Sequence, residues 1–300
     1  LFKERLVMSF DYFRNTTKDQ LMTIPLPAST GSEDIVVNFG ENQNVGYDFS
    51  VAGQVIRNKN WAWTSVINGS HVKDRIKQIS DKLKNTAYQL EEDNPLKLRF
   101  REGGSQYDIY AVRSAGIDPA TGQEIFINKN GEYTFKYDAE DEVVVGNTQP
   151  KLQGTWLNTL RYKGWSLNFV FSYTFGGDTY NKTLWEKVED IDPRYNVDER
   201  AFTDRWKNPG DLSRYLAIKE RRSTTPHNSE RFVERLNELW LSSATLTYEF
   251  QPKFLKRLGF KRLAVGVGVS DIVRFSTVKY ERGTSYPYSR TINLVFRPTF

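Results

Sequence analysis

The residues of this chain that could do chemistry are few and badly spaced for it. Cysteine is absent and histidine occurs twice, at His71 and His227. Thiol catalysis, disulfides and Cys-based metal sites are therefore excluded, and a His-rich metal site has too few ligands. Acidic groups do occur, as Glu189-Asp190 with Asp192, and as Asp138, Glu140, Asp141 and Glu142. Catalysis by paired carboxylates needs a fixed separation across a cleft and a shifted pKa, which adjacency in sequence does not supply. These acids read as solvated loop charges. The second group could hold calcium in an outer loop through oxygen ligands, although it lacks the full spacing of a calcium loop. Gly103-Gly104 and Gly176-Gly177 stand beside alternating segments rather than ahead of a helix, so they mark bends and not a phosphate cradle. Asp118, Pro119, Thr121 and Gly122 have the chemistry of a turn. No catalytic residue, cofactor site or resident metal is assigned.

Binding is better represented than catalysis. Aromatic residues make up 14% of the 300 residues, and the segment 181–227 carries Trp185, Tyr195, Phe202, Trp206 and Tyr215 among charges and prolines. Such rings either stack on sugars, anchor a partner protein, or pack on one another. A net charge of +5 is spread thinly. The densest basic runs, Lys219 to Arg222 and Lys253 to Arg262, are short and interrupted, which argues against a nucleic-acid partner.

The elements that must position these residues are strands. From Trp165 to Phe175 the odd positions are aromatic or Leu, and the even ones, Val170 excepted, are small or polar. Ile292, Leu294 and Phe296 alternate likewise with Thr291, Asn293 and Arg297, and Val265, Val267 and Val269 with Gly266, Gly268 and Ser270. A period of two is the mark of a strand with two different faces. About eight such strands are expected, near 4–14, 43–57, 60–72, 150–163, 164–177, 236–250, 260–275 and 286–300, each roughly as long as a tilted bilayer crossing of 9–11 residues or longer. The weaker alternation of Trp240, Leu246, Tyr248 and Phe250 is assigned to one face.

Short turns alternate with long polar loops near 15–42, 73–149 and 178–235, the habit of an outer-membrane barrel with short turns on one side and long loops outside. The longest apolar runs are far too short for a transmembrane helix. The fold class expected is all-β, a transmembrane antiparallel β-barrel. Its lumen would be lined by Asn168, Ser172, Ser270 and Arg274, and Trp185, Tyr195, Trp206 and Tyr215 would be candidate substrate or partner contacts. A passive porin-like or structural barrel is one alternative, and a secreted soluble β-rich glycan-binding protein or enzyme is another.

Ala115 to Gly122, Gly131 and Gly146 to Lys151, with Ser229 to Glu234 leading into Leu239-Trp240-Leu241, resemble the SusC/RagA-like TonB-dependent outer-membrane transporters of Bacteroidetes. Collinear matches continue at Asn38 to Asp48, Leu246-Thr247-Tyr248, Leu255 to Gly259, Ser270-Asp271-Ile272 and Tyr286 to Phe300. The resemblance implies a 22-stranded barrel with an N-terminal plug, preceded by a carboxypeptidase-like domain and a TonB-contacting segment. Nothing in the chain matches those parts, so it is expected to hold the last eight or so strands of one barrel domain. The implied activity is active import of a glycan or peptide across the outer membrane, without enzymatic chemistry. A SusD-like lipoprotein, the TonB complex and outer-membrane lipid are the implied partners. Phe300 is the implied C-terminal assembly signal.

Overall fold

The computed structural model describes residues 5–25, 34–80, 101–192, 194–218, 228–250, 260–279 and 290–299. Tyr288 and Phe300 lie outside them, and with them the expected assembly signal. Eight long strands form one antiparallel sheet: β1 (Leu6–Pro25), β2 (Asp34–Arg57), β3 (Trp61–Ile79), β8 (Leu152–Tyr162), β9 (Trp165–Tyr180), β10 (Val233–Glu249), β11 (Arg262–Ser276) and β12 (Thr291–Thr299). They are ordered as in the chain, and among the described residues β1 and β12 are the edges. Four short strands interrupt the series between β3 and β8: β4 (Asp108–Ile117), β5 (Glu124–Ile127), β6 (Tyr133–Thr134) and β7 (Glu142–Asn147). These make a second sheet, in the order β6-β5-β4-β7.

The register converts the sequence alternation into two surfaces. Met8, Val51, Ile67, Trp156, Phe171, Leu241 and Val273 are cross-strand partners in one row from β1 to β11. One residue along each strand, the row reads Ser9, Ser50, Asn68, Thr155, Ser172, Trp240 and Arg274. A one-residue slip would exchange the two faces, so the pattern fixes the pairing. Among the described residues the apolar face has no second layer upon it: Phe10 is 67% exposed and Leu294 85%, with Val267, Leu246 and Trp165 between them also exposed. A water-soluble sandwich would bury this surface. Exposure of a continuous apolar face, opposite a polar one, is what a lipid-facing wall requires.

The height of that face agrees. At the short-turn end Trp61, Tyr162, Trp165 and Tyr248 fall in one register row. Their rings meet at 4.3 Å between Trp61 and Tyr162 and 4.8 Å between Trp165 and Tyr248. From Trp165 to Phe175 on the same face is about 33 Å along the strand at ~3.3 Å per residue. At a tilt of ~40° that projects to about 25 Å, the height of an outer-membrane apolar band. Among the described residues no helix is long and apolar enough to cross a membrane.

Three expected loops are shorter than their polarity implied. Residues 15–25 and 34–42 are strand, paired from Asn15 with Asn44 out to Pro25 with Asp34. β3 runs on to Ile79, and the rest of 73–149 contains β4 to β7. The 178–235 segment loses its first residues to β9 and its last to β10, and carries short helical turns at 182–189 and 200–203. Where both faces of a strand meet water or the second sheet, nothing enforces hydrophobic alternation, and the strand is invisible to a period-two reading.

Gly69 and Gly154 explain how bulky rings sit on the wall. They are cross-strand partners, and the Phe49 and Tyr173 rings cross the space that their side chains would occupy. The Tyr173 hydroxyl then donates to the Asn68 carbonyl at 2.8 Å. A Cβ on Gly154 would lie 2.0 Å from that same oxygen, whereas one on Gly53 would meet nothing nearer than 3.9 Å. Gly154→Val is expected to cost upwards of about 3 kcal/mol, and Gly53→Ala to be tolerated. Heat-modifiable mobility of the complete protein in SDS gels checks both: the folded band disappears in the first and persists in the second.

Candidate functional site

The polar face of the sheet and the folded mass above it form one candidate site. Asn168, Ser172, Ser270 and Arg274 all fall on the polar face, because Asn168 pairs with Thr245, Ser172 with Trp240, Ser270 with Ser243, and Arg274 with Trp240. They do not converge on one point. Asn168 accepts from the Thr159 hydroxyl at 2.8 Å, and belongs to a polar ladder that includes Ser50 to Asn68 at 2.7 Å and Asn68 to Thr155 at 3.3 Å. Arg274 lies 4.5 Å over the Trp240 ring and 3.4 Å from the Glu238 carboxylate.

Trp240 and Glu238 were missed as wall residues. By parity Trp240 belongs with Leu246, Tyr248 and Phe250 on the lipid side. A bulge overturns that assignment: the adjacent β9 residues Val170 and Phe171 pair with Ser243 and Leu241, so Ser242 is an extra residue of β10. Asp271 takes φ 56° and the Ser242 hydroxyl donates to the Val170 carbonyl at 3.0 Å. An extra residue reverses the face of everything beyond it. The only sequence trace is the polar pair Ser242-Ser243 within an apolar strand.

Above the wall sits a cap with a hydrophobic core of its own. Leu184, Val188, Tyr215 and Phe232 are buried together, with Tyr180 and Trp185 packed against them. Trp206 is 8% and Tyr215 3% exposed, so both rings go into packing. The Trp206 indole donates to the Pro119 carbonyl at 2.8 Å and its ring fills the space beside Gly122. The Asp118 turn that shapes this contact accepts from Thr121 and Ala120, and the Thr121 hydrogen bond, followed by that of Ala120, holds its carboxyl below the usual range. Tyr195, 72% exposed, is the one expected contact left on the surface.

The cap is tied together by a buried charge cluster. Arg231 donates to Glu189 at 2.5 and 3.0 Å and to Glu124 at 2.9 Å, and Glu124 also accepts from the Ser229 hydroxyl. Arg205 donates to the carbonyls of Ala201, Leu216, Val188 and Glu189, stitching three segments whose last carbonyls would otherwise be orphaned. Burial pushes Glu124 toward the neutral form, but the Arg231 hydrogen bond and charge, with those of Ser229 and Ser114, outweigh it and hold its pKa down. Glu124 comes from β5, Glu189 from the helical turn after β9, and Arg231 from the approach to β10, so the cluster fastens the second sheet to the wall.

Docking is reinforced at its edges. Asp74 of β3 accepts from the Gln106 amide at 2.8 Å and from the Ser105 hydroxyl, and Asp178 of β9 accepts from the Asn147 amide at 3.0 Å. Of the acids considered for calcium, Asp138 accepts from the Glu140 amide and Asp141 from the Lys129 amide, both at 2.9 Å, while Glu142 accepts from Tyr137 at 3.0 Å. Among the described residues no three His, Asp or Glu gather as metal ligands.

No family model matches the chain. It is 26% identical to TonB-dependent receptor P39 of Formosa agariphila, over 92% of this chain and 30% of that protein. TonB-dependent receptor P26 of the same organism is also 26% identical, over the whole of this chain and 33% of its own length. Its curated relatives are TonB-dependent receptors. The chain spans about a third of their length. Among solved structures, the RagAB peptide transporter superposes with a TM-score of 0.76 at 20% identity, covering 92% of this chain and 30% of that one. The RagAB peptide importer in its open-open state gives 0.74 at 21%, covering 94% and 30%. The fold is thus that of a wall segment of the RagAB transporter.

Arg231→Met would strand two buried carboxylates, at a cost of about 3–5 kcal/mol. Hydrogen exchange at the Leu184 and Leu216 amides of the complete protein should rise accordingly, while exchange in β8 and β9 stays unchanged. Glu124 has a lowered folded pKa, so its contribution is present above its unfolded pKa and is lost as pH falls through the folded one. Cap protection should therefore hold at neutral pH and decline below about pH 4.

Proposed function

We propose that this chain is the wall and surface cap of a TonB-dependent outer-membrane importer, and that the complete protein closes it into a barrel of about 22 strands with a plug. The observation that carries the reading is the sheet with an apolar face and an opposite polar face, capped, among the described residues, at the long-connection end. The likeness to TonB-dependent receptors over 92% of the chain supports it. Cargo would enter past the cap, meet the Trp240, Arg274 and Glu238 wall, and leave at the short-turn mouth. The wall supplies positioned polar groups and an aromatic face, and no covalent step. TonB would deliver the energy through the part of the protein that precedes this wall.

A SusD-like surface lipoprotein would close over the cap, with exposed Tyr195 among its contacts. The peptide cargo named for the RagAB structures makes an oligopeptide the first cargo to test and a glycan the second. In cells carrying the complete transporter, uptake of labelled oligopeptides should fall at least about tenfold when TonB is removed. Uptake indifferent to TonB would leave the passive-barrel reading instead. Trp240→Ala with Arg274→Ala should lower uptake without changing the amount of protein in the outer membrane, as measured by surface labelling.

A further inference from the structure

The short-turn end of the wall is strongly one-signed. The turns joining β2 to β3, β8 to β9 and β10 to β11 bring two cations each: Arg57 and Lys59, Arg161 and Lys163, Lys261 and Arg262. All six side chains are exposed. Opposed to them among the described residues of these turns is one acid, Glu249, which pairs with Arg262 at 2.8 Å. The other five have no carboxylate partner among the described residues. Segment 251–260 adds Lys253, Lys256 and Arg257 by sequence, and no acid.

Arg57, Lys59, Arg161 and Lys163 lie within a residue or two, along the chain or across the register, of the aromatic row of Trp61, Tyr162, Trp165 and Tyr248, the level at which amphipathic rings meet lipid headgroups, and Arg262 and Lys261 lie three and four residues beyond Val265, the partner of Tyr248. Lys163 ties the two together, for its ammonium sits 5.1 Å from the centroid of the outward-facing Tyr162 ring. Cations at that level, without counter-ions of their own, form the complement of a layer of phosphates. Arg57 and Arg161 are carried on the polar face with Ala62 between them, and they add to the field from the lumenal side of the rim.

We propose that the short-turn rim is a binding surface for anionic phospholipid headgroups of the leaflet on that side, with Lys59, Lys163 and Lys261 contacting the phosphates. The inference needs the wall to stand in a bilayer. It does not depend on the cargo or on coupling to TonB, so failure of import would leave it standing. The anchor fixes the depth and tilt of the wall by holding one rim to one leaflet. The glycerol-phosphate headgroup, and not free phosphate, is the source named, because the aromatic row and Lys163 face the lipid side.

The test uses the complete transporter in nanodiscs and in detergent, with phosphatidylglycerol and phosphatidylcholine of the same acyl chains, read by native mass spectrometry. The wild type should retain phosphatidylglycerol over phosphatidylcholine by about tenfold or more. Lys59→Gln, Lys163→Gln and Lys261→Gln combined should bring that ratio near parity, with heat-modifiable mobility showing that the barrel is intact. No preference in the wild type, or an undiminished preference in the triple variant, overturns the proposal. Displacement of the lipid by millimolar inorganic phosphate would make the site one for free phosphate, and overturns it too. Binding of a synthetic oligo-glutamate peptide, with no lipid preference, would assign the rim to an acidic polypeptide in the lumen.

Discussion

Hydrocarbon offers no hydrogen bonds, so every polar group on the lipid side of this wall has to find its partner inside the protein. The backbone does so through the ladders that run from β1 to β12. Side chains follow the same rule in large part: the Trp63 indole donates to Asn158 at 3.0 Å, the Trp156 indole to Ser65 at 2.8 Å, and Tyr173 to the Asn68 carbonyl, while the Asn158 Nδ2 is left without a partner among the described residues. The polar partners are roofed by the rings that they bind. Asn158, on the apolar face, is 2% exposed for this reason. The constraint also demands that the open edges β1 and β12 be paired by further strands wherever the wall meets lipid.

Outside that band the rules reverse. The cap is stabilised as a water-soluble domain is, by the Leu184, Val188, Tyr215 and Phe232 core and by well-packed turns. At its centre Arg231 is almost fully buried between two carboxylates, and removing one partner would leave the others uncompensated. Such a cluster is better suited to fixing the position of the second sheet over β9 and β10 than to adding stability. One chain therefore holds two folding regimes, a wall whose solvent on one side is lipid and a cap whose solvent is water. They meet at Asp74, Asp178 and the strand ends.

The wall was readable in the sequence because lipid enforces alternation: Trp165 to Phe175, Val265 to Val269 and Ile292 to Phe296 each announced a strand and its faces. The polar ends of β1 and β2 were not, since Asn15 to Gln20 meet no apolar surface that would select alternate residues. Asn168, Ser172, Ser270 and Arg274 were legible as wall residues because parity predicts a face. Trp206 and Tyr215 were ambiguous, since an aromatic ring in a polar segment looks the same whether it packs or binds, and only the Asp118 turn and the buried core decide. The charge cluster was illegible, because Glu124, Glu189 and Arg231 lie far apart in sequence and meet only through the fold.

The bulge between Leu241 and Ser243 acts as a phase shifter. On its short-turn side the even positions of β10, such as Leu246 and Tyr248, belong to lipid; on its cap side the even positions, Glu238 and Trp240, belong to water. Length at this spot is therefore more tightly held than chemistry. Many side chains could replace Ser242, but deleting it would turn the cap-side half of the strand inside out, carrying Glu238 to the apolar face and Leu239 to the polar one.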